Sequence, residues 1–153
     1  MPTTAQSDLT LSTVDPLELL IGRERIGNPY QIFQLIESGI PVGNAVQALT
    51  ELNLIANQRV LTKVISISVR ALLRNAQQSQ SVLNPNDSWR LLILIQTMRK
   101  AVQVFGSLHS AERWILKPAF GLNGLAPLDL IVNPVGYEIV TDFLTRLEYG
   151  VYQ

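Results

Sequence analysis

AERWILKPAFGLNGLAPLDLIVNPVGYEIVTDFLTRLEYGVYQ, residues 111–153, is the stretch whose reading decides the fold. It is written in short helices and stops. Ser110 is placed to cap a segment carrying Trp114, and Pro118 closes that segment. Residues 119–126 form a loop in which Gly121 and Gly124 are available for positive φ. A short helix is expected from Pro127. Asn133-Pro134 then supplies an N-cap followed by proline at the first helical position. The last helix shows an apolar face of Val140, Phe143, Leu144 and Leu147, and Gly150 ends it.

The same punctuation runs upstream. Asn28-Pro29 opens a helix that Gly39 stops, with Ile32, Phe33, Leu35 and Ile36 as its apolar face. Pro41 opens the next, with Val42, Ala45, Val46, Leu49 and Leu52 at spacings of three and four. Residues 54–75 read as helix broken at Ile65-Ser66-Ile67. Asn84-Pro85-Asn86-Asp87-Ser88 reads as a turn and cap before the longest helix, residues 88–105. There Leu91, Ile95, Met98, Val102 and Phe105 share a face, and Gly106 ends the helix. No strand pattern and no internal repeat competes, so the fold class is all-α. Residues 1–14, rich in Thr, Ser and Gln, are expected to form a disordered arm. Residues 15–83 make one helical unit and residues 84–153 a second, smaller one.

Of the 153 residues, 47% are hydrophobic and only 16% charged, below the usual share of about a quarter. Either the core is large for the chain, or apolar surface is kept for a partner, including a second copy in a homodimer. There is no cysteine, which excludes disulfides and thiolate metal sites and is compatible with the cytoplasm. The N-terminus has neither a basic start nor a long apolar run, so neither a signal peptide nor an anchor is expected. The longest apolar run, residues 91–95, is too short for a bilayer, so no membrane contact is expected. With one histidine and no cysteine, a Cys-His pair is impossible, and no nucleophile elbow, phosphate loop or dinucleotide fingerprint appears. The reading is therefore not an enzyme, with no catalytic residue, metal or cofactor. His109 is expected at the surface.

The zero net charge hides a pattern. Residues 1–58 hold two basic and six acidic side chains, residues 59–117 nine and two, and residues 118–153 one and four. A basic centre suits a protein that meets phosphate there; a solvated basic face is the alternative. Residues 52–86 contain no acid but carry Arg59, Lys63, Arg70 and Arg74. The segment LNLIANQRVLTKVISISVRALLRN, residues 52–75, resembles a helix-turn-helix of the Xre type. A first helix over residues 57–64 is followed by a second over 69–75, capped by Ser68. In such motifs the N-terminal side chains of the second helix reach base edges. Here those are Ser68, Arg70 and Ala71, with Arg74 a turn later, while Arg59 and Lys63 would reach phosphates. Two positions depart from the pattern. Ser66 stands where glycine is usual, so an αL conformation there is less comfortable, and Asn75 replaces a further basic residue.

The C-terminal stretch resembles the toxin-binding domain of the Xre/MbcA/ParS antitoxin family. The likeness rests on Phe105-Gly106, Ala111, Trp114, Pro118, Gly124, Pro127-Leu128-Asp129-Leu130, Gly136, Val140, Leu144, Arg146 and Glu148-Tyr149-Gly150-Val151-Tyr152. With the helix-turn-helix it covers roughly residues 40–153. The resemblance implies an antitoxin that covers the active site of a cognate RES-domain, NAD⁺-consuming toxin. It also implies a dimerising N-terminal part that binds the operon's promoter DNA. Expected toxin-binding residues are Leu128, Leu130, Arg146, Glu148, Tyr149, Gly150, Val151 and Tyr152. Trp114 is expected to be a core anchor. Gly124 should serve a turn, Gly136 close helix packing, and Asp129 the positive end of its short helix. A stand-alone helix-turn-helix repressor is the competing reading, in which the tail is dispensable.

Overall fold

The computed structural model describes residues 14–150. The expected arm before Val14, and Val151 and Tyr152 of the tail, lie outside the described residues. Nine α-helices and no strand are found among the described residues, which agrees with the all-α reading; the first helix was not singled out in the sequence. They are α1 (Pro16–Ile21), α2 (Pro29–Ser38), α3 (Val42–Glu51), α4 (Gln58–Val64), α5 (Val69–Ala76), α6 (Pro85–Phe105), α7 (Leu108–Leu116), α8 (Pro127–Leu130) and α9 (Pro134–Glu148). Two 3₁₀ turns, Arg23–Arg25 and Phe120–Leu122, interrupt the connections.

Side chains accept the orphan N–H groups at most helix starts. Asn28 caps α2 by accepting from Gln31 N, Asn57 caps α4 from Val60 N, Ser68 caps α5 from Ala71 N, and Asn133 caps α9 from Gly136 N. Two starts differ from expectation. The long helix begins at Pro85, three residues early, because Asn84 is its cap and Pro85 occupies the first helical position. α7 is capped by Ser107, and Ser110 is the residue whose N–H donates to it. Gly121 does not take positive φ. The left-handed residues of that loop are Asn123 and Gly124, at 59° and 75°.

α6 is the axis of the molecule. Leu91, Leu92, Ile93, Leu94 and Ile95 are all buried, followed by Met98 and Ala101. A helix that is apolar all round must be covered all round. α1, α2 and α4 pack against α6, as do α7 and α9 from the C-terminal part. One continuous core therefore runs from Leu17 to Leu144 through this helix.

α3 behaves as read: Val42, Ala45, Leu49 and Leu52 are buried, and α1 lies across it. α2 does not. None of its residues is fully buried, Ile32, Leu35 and Ile36 are half-buried against the core, and Phe33 and Tyr30 are 62% and 82% exposed. Phe33 is therefore not part of the inward face. Among the described residues, no single helix is long and apolar enough to cross a membrane.

Candidate partner-binding site

The C-terminal module is assembled from α7, the 3₁₀ turn, α8 and α9, laid against the end of α6. Its centre is aromatic. Trp114 is half-buried, with its ring 5.3 Å from that of Phe105 at a 44° tilt, and stacked on Phe143 at 6.4 Å and 5°. This is the anchor expected of it. Its Nε1 is buried without a hydrogen-bond partner.

The corner between α8 and α9 depends on a missing side chain. A methyl group built on Gly136 would overlap the Leu130 carbonyl. Only glycine lets the start of α9 lie on the end of α8, the close packing expected at this position. Gly124, at positive φ, serves the turn.

The residues expected to meet a partner divide into three groups. Leu128 is 0% exposed and belongs to the chain's own core, so it holds the module together and is not presented to a partner. Leu130 is half-buried against that core. A helix of four residues has no period long enough to tell an inward leucine from an outward one.

Arg146 and Glu148 point to different neighbours, as their spacing requires. Arg146 pairs with Asp142 at 2.8 Å, one turn back on α9, and Glu148 accepts from Lys100 of α6 at 2.6 Å. Tyr149, at the C-cap of α9, is 72% exposed, and Gly150 follows at φ 68°. Other exposed apolar side chains of the module are Phe120, Leu125, Val135 and Ile139. The sequence reading missed them: Phe120 and Leu125 sit in a loop, which carries no periodicity, and Val135 and Ile139 lie off the apolar face read for α9.

The basic helix pair is built differently. α4 and α5 are joined by residues 65–68, with Ile65 extended at φ −123° and ψ 137°. Ser66 does not adopt positive φ, so the αL turn expected there is absent. Asp87 of α6 closes the connection. Its carboxylate accepts from Ser66 N at 3.0 Å, Ser66 Oγ at 2.7 Å and Asn84 Nδ2 at 3.2 Å, and the residue is only 3% exposed. A buried carboxylate needs such donors, and here they are supplied by the turn it fixes. Asp87 also lies in the first turn of α6, where negative charge is favoured. Its signal in the sequence was its isolation: no other acid lies between Glu51 and Glu112.

On α5, Ser68, Arg70 and Arg74 are exposed, and Ala71 is half-buried. Arg59 and Lys63 of α4 instead face the C-terminal module. Arg59 donates to the Leu116 carbonyl at 2.7 Å and lies 3.4 Å from Asp129, whose other oxygen is 3.2 Å from Lys63 Nζ. Asp129 thus does more than favour its helix end: it ties α8 to α4. Among the described residues no group of three or more His, Asp or Glu is arranged to hold a metal.

Residues 100–150 match the family model described as the antitoxin Xre/MbcA/ParS C-terminal toxin-binding domain. The chain is also similar to the protein named Antitoxin Xre of Yersinia enterocolitica serotype O:8 / biotype 1B (strain NCTC 13174 / 8081). The two are 27% identical over 130 residues, spanning 83% of this chain and 87% of that protein. The matched segment is the module built around Trp114 and Gly136, and the likeness to the Yersinia protein extends over most of both chains. Residues 100–150 thus resemble an antitoxin's toxin-binding domain, and the chain over most of its length is similar to an Xre-type antitoxin.

Proposed function

We propose that this chain is an antitoxin that neutralises a RES-domain, NAD⁺-consuming toxin by covering its active site with the C-terminal end of the module. The observation that supports this most is Tyr149. It stands 72% exposed at the end of α9, in a segment that matches a toxin-binding domain. A tyrosine gives much contact area for little conformational entropy, which suits an interface anchor. The inhibition needs no chemistry from this chain, only occlusion of the site and burial of area typical of a stable complex.

The same reading gives α5 a role on the operon's promoter DNA and makes the chain a homodimer within a larger complex. Arg70 and Arg74 are exposed and make no ion pair among the described residues, which leaves their guanidinium groups available to guanine edges. That freedom also favours the second reading, a repressor that acts without a toxin.

The deciding experiment measures cellular NAD⁺ after expressing the adjoining gene, which this reading takes to encode the toxin. It is run alone, with the full chain, and with the chain lacking residues 149–153. The expected result is collapse, restoration and renewed collapse. Full restoration by the truncated chain would remove the tail from the site. NAD⁺ unaffected in all three arms would favour the repressor reading.

A further inference from the structure

Phe120 is the most exposed large apolar side chain among the described residues, at 98%. A single exposed apolar residue is ordinary. What sets this one apart is how firmly its backbone is held. It begins the 3₁₀ turn Phe120–Leu122, and the segment around it is closed on itself by backbone hydrogen bonds. Ala119 N donates to Leu125 O at 3.1 Å, while Leu122 N and Gly124 N both donate to Ala119 O at 3.0 Å. Leu125 N completes the loop by donating to Leu122 O at 3.1 Å. Two consecutive left-handed residues, Asn123 and Gly124, make this closure geometrically possible. Leu122, two positions after Phe120, is buried and pins the turn, which packs on α9.

We propose that Phe120 is a preorganised anchor that this module inserts into an apolar pocket of its toxin, a pocket deep enough for a phenyl ring. The proposal rests on the toxin-binding reading given above and adds to it a residue that neither the tail nor α8 supplies. The occupant is the toxin because Phe120 lies inside residues 100–150, the segment that matches a toxin-binding domain. Its surroundings fit a protein partner. Leu125 is exposed on the same closed loop, and Val135 and Ile139 are exposed one turn apart on α9, the helix against which the loop packs. Glu138, exposed between them in sequence, gives that stripe an acidic edge. Binding energy concentrates in a few large anchors that fill pockets, and it is greatest where the anchor need not be ordered on binding. A ring on a rigid, hydrogen-bonded turn meets both conditions. Leu128 and Leu130, which the sequence suggested for this role, are committed to the core or half-buried against it.

The test is titration calorimetry of the full chain against the purified product of the adjoining gene, which the proposed function takes to be its RES-domain toxin. A catalytically inactive form of that toxin is used so that it can be produced alone. Phe120→Ala should raise Kd by about 30-fold or more, roughly 2 kcal/mol at 1.4 kcal/mol per decade. Phe120→Leu, which keeps an apolar knob, should lose clearly less. Phe33→Ala, which removes an exposed ring outside the matched segment, should leave Kd within about threefold of wild type. Thermal melts of the free variants should match wild type, since neither ring is buried. Wild-type affinity in Phe120→Ala overturns the proposal while leaving the toxin reading intact. Absence of binding by the wild-type chain overturns both. A loss of self-association in Phe120→Ala, seen by light scattering, assigns the ring to a second copy and overturns it as a toxin anchor.

Discussion

The α4–α5 corner and the α8–α9 corner are both short connections between helices, yet they are closed by opposite means. At the first, a carboxylate from α6 reaches across and gathers Ser66 N, Ser66 Oγ and Asn84 Nδ2. At the second, backbone lies on backbone, and the space of a methyl group at Gly136 is already taken by the Leu130 carbonyl. A polar clasp has partners that can be removed one at a time, so its failure is graded. A steric corner has no partial state: the helix starts where it does or moves. The difference places the adjustable joint under the basic helix pair and the inflexible one within the C-terminal module.

The largest effect should come from Gly136→Ala. The added Cβ would collide with backbone, which cannot rotate away as a side chain can. We expect a loss of at least about 3 kcal/mol, and a fall in Tm of roughly 6–12 °C for a chain of this size. Neutralisation should fall with it. A melt within about 2 °C of wild type would show that the corner has slack, and the comparison would break on its rigid side.

Asp87→Ala should rank second. It leaves the Ser66 N–H, the Ser66 hydroxyl and the Asn84 amide without their acceptor, at a cost of about 2–3 kcal/mol. Ser66→Ala removes one of those bonds together with its donor and should cost about 1 kcal/mol. Urea denaturation gives both values. Hydrogen exchange shows where the loss is felt: amides of α4 and α5 should exchange faster in Asp87→Ala, and those of α8 and α9 should not. Equal acceleration in both regions would mean that the clasp serves the shared core and not its own corner.

How far these features were legible in the sequence follows from their range. Caps act within three residues, so Asn28, Ser68 and Asn133 were readable one by one, while Asn57, read as the first residue of α4, is its cap. The start of α6 was misplaced because Asn84-Pro85 sits in a run of turn-formers, where the cap and the turn look alike. Gly136 was legible because no other residue type permits such close packing. The Asp87 clasp was not, since its partner Ser66 lies 21 positions away and nothing local couples them. The sequence also read one apolar face on α6 where the structure buries five consecutive residues, because a face is counted from one side and this helix is covered from two. The sequence pointed to the module that matches a toxin-binding domain but put Leu128 on its surface. Burial of a single leucine depends on what lies above it, and for Leu128 that was not written nearby.

The smallest effect should come from Asp129→Asn, and it is the one that tests how the two regions are joined. Asp129 holds Arg59 at 3.4 Å and Lys63 at 3.2 Å across the α4–α8 seam. All three side chains are a third to a half exposed, so solvent screens the pairing, and its loss should change stability by less than about 1 kcal/mol. Arg59 keeps its bond to the Leu116 carbonyl, so the seam should stay closed. What changes is the availability of positive charge. If α4 lies along DNA phosphate when α5 is on the promoter, removing the Asp129 charge frees two cations for that contact. Promoter affinity should then rise, and the slope of log K against log salt should steepen by up to about 2, near 0.9 for each phosphate engaged. An unchanged slope would assign Arg59 and Lys63 to the seam alone. The cations available to DNA in this helix pair would then be those of α5. In that case the clasp at Asp87, which positions α5, would govern promoter binding, and the ion pairs at Asp129 would only hold the module against it.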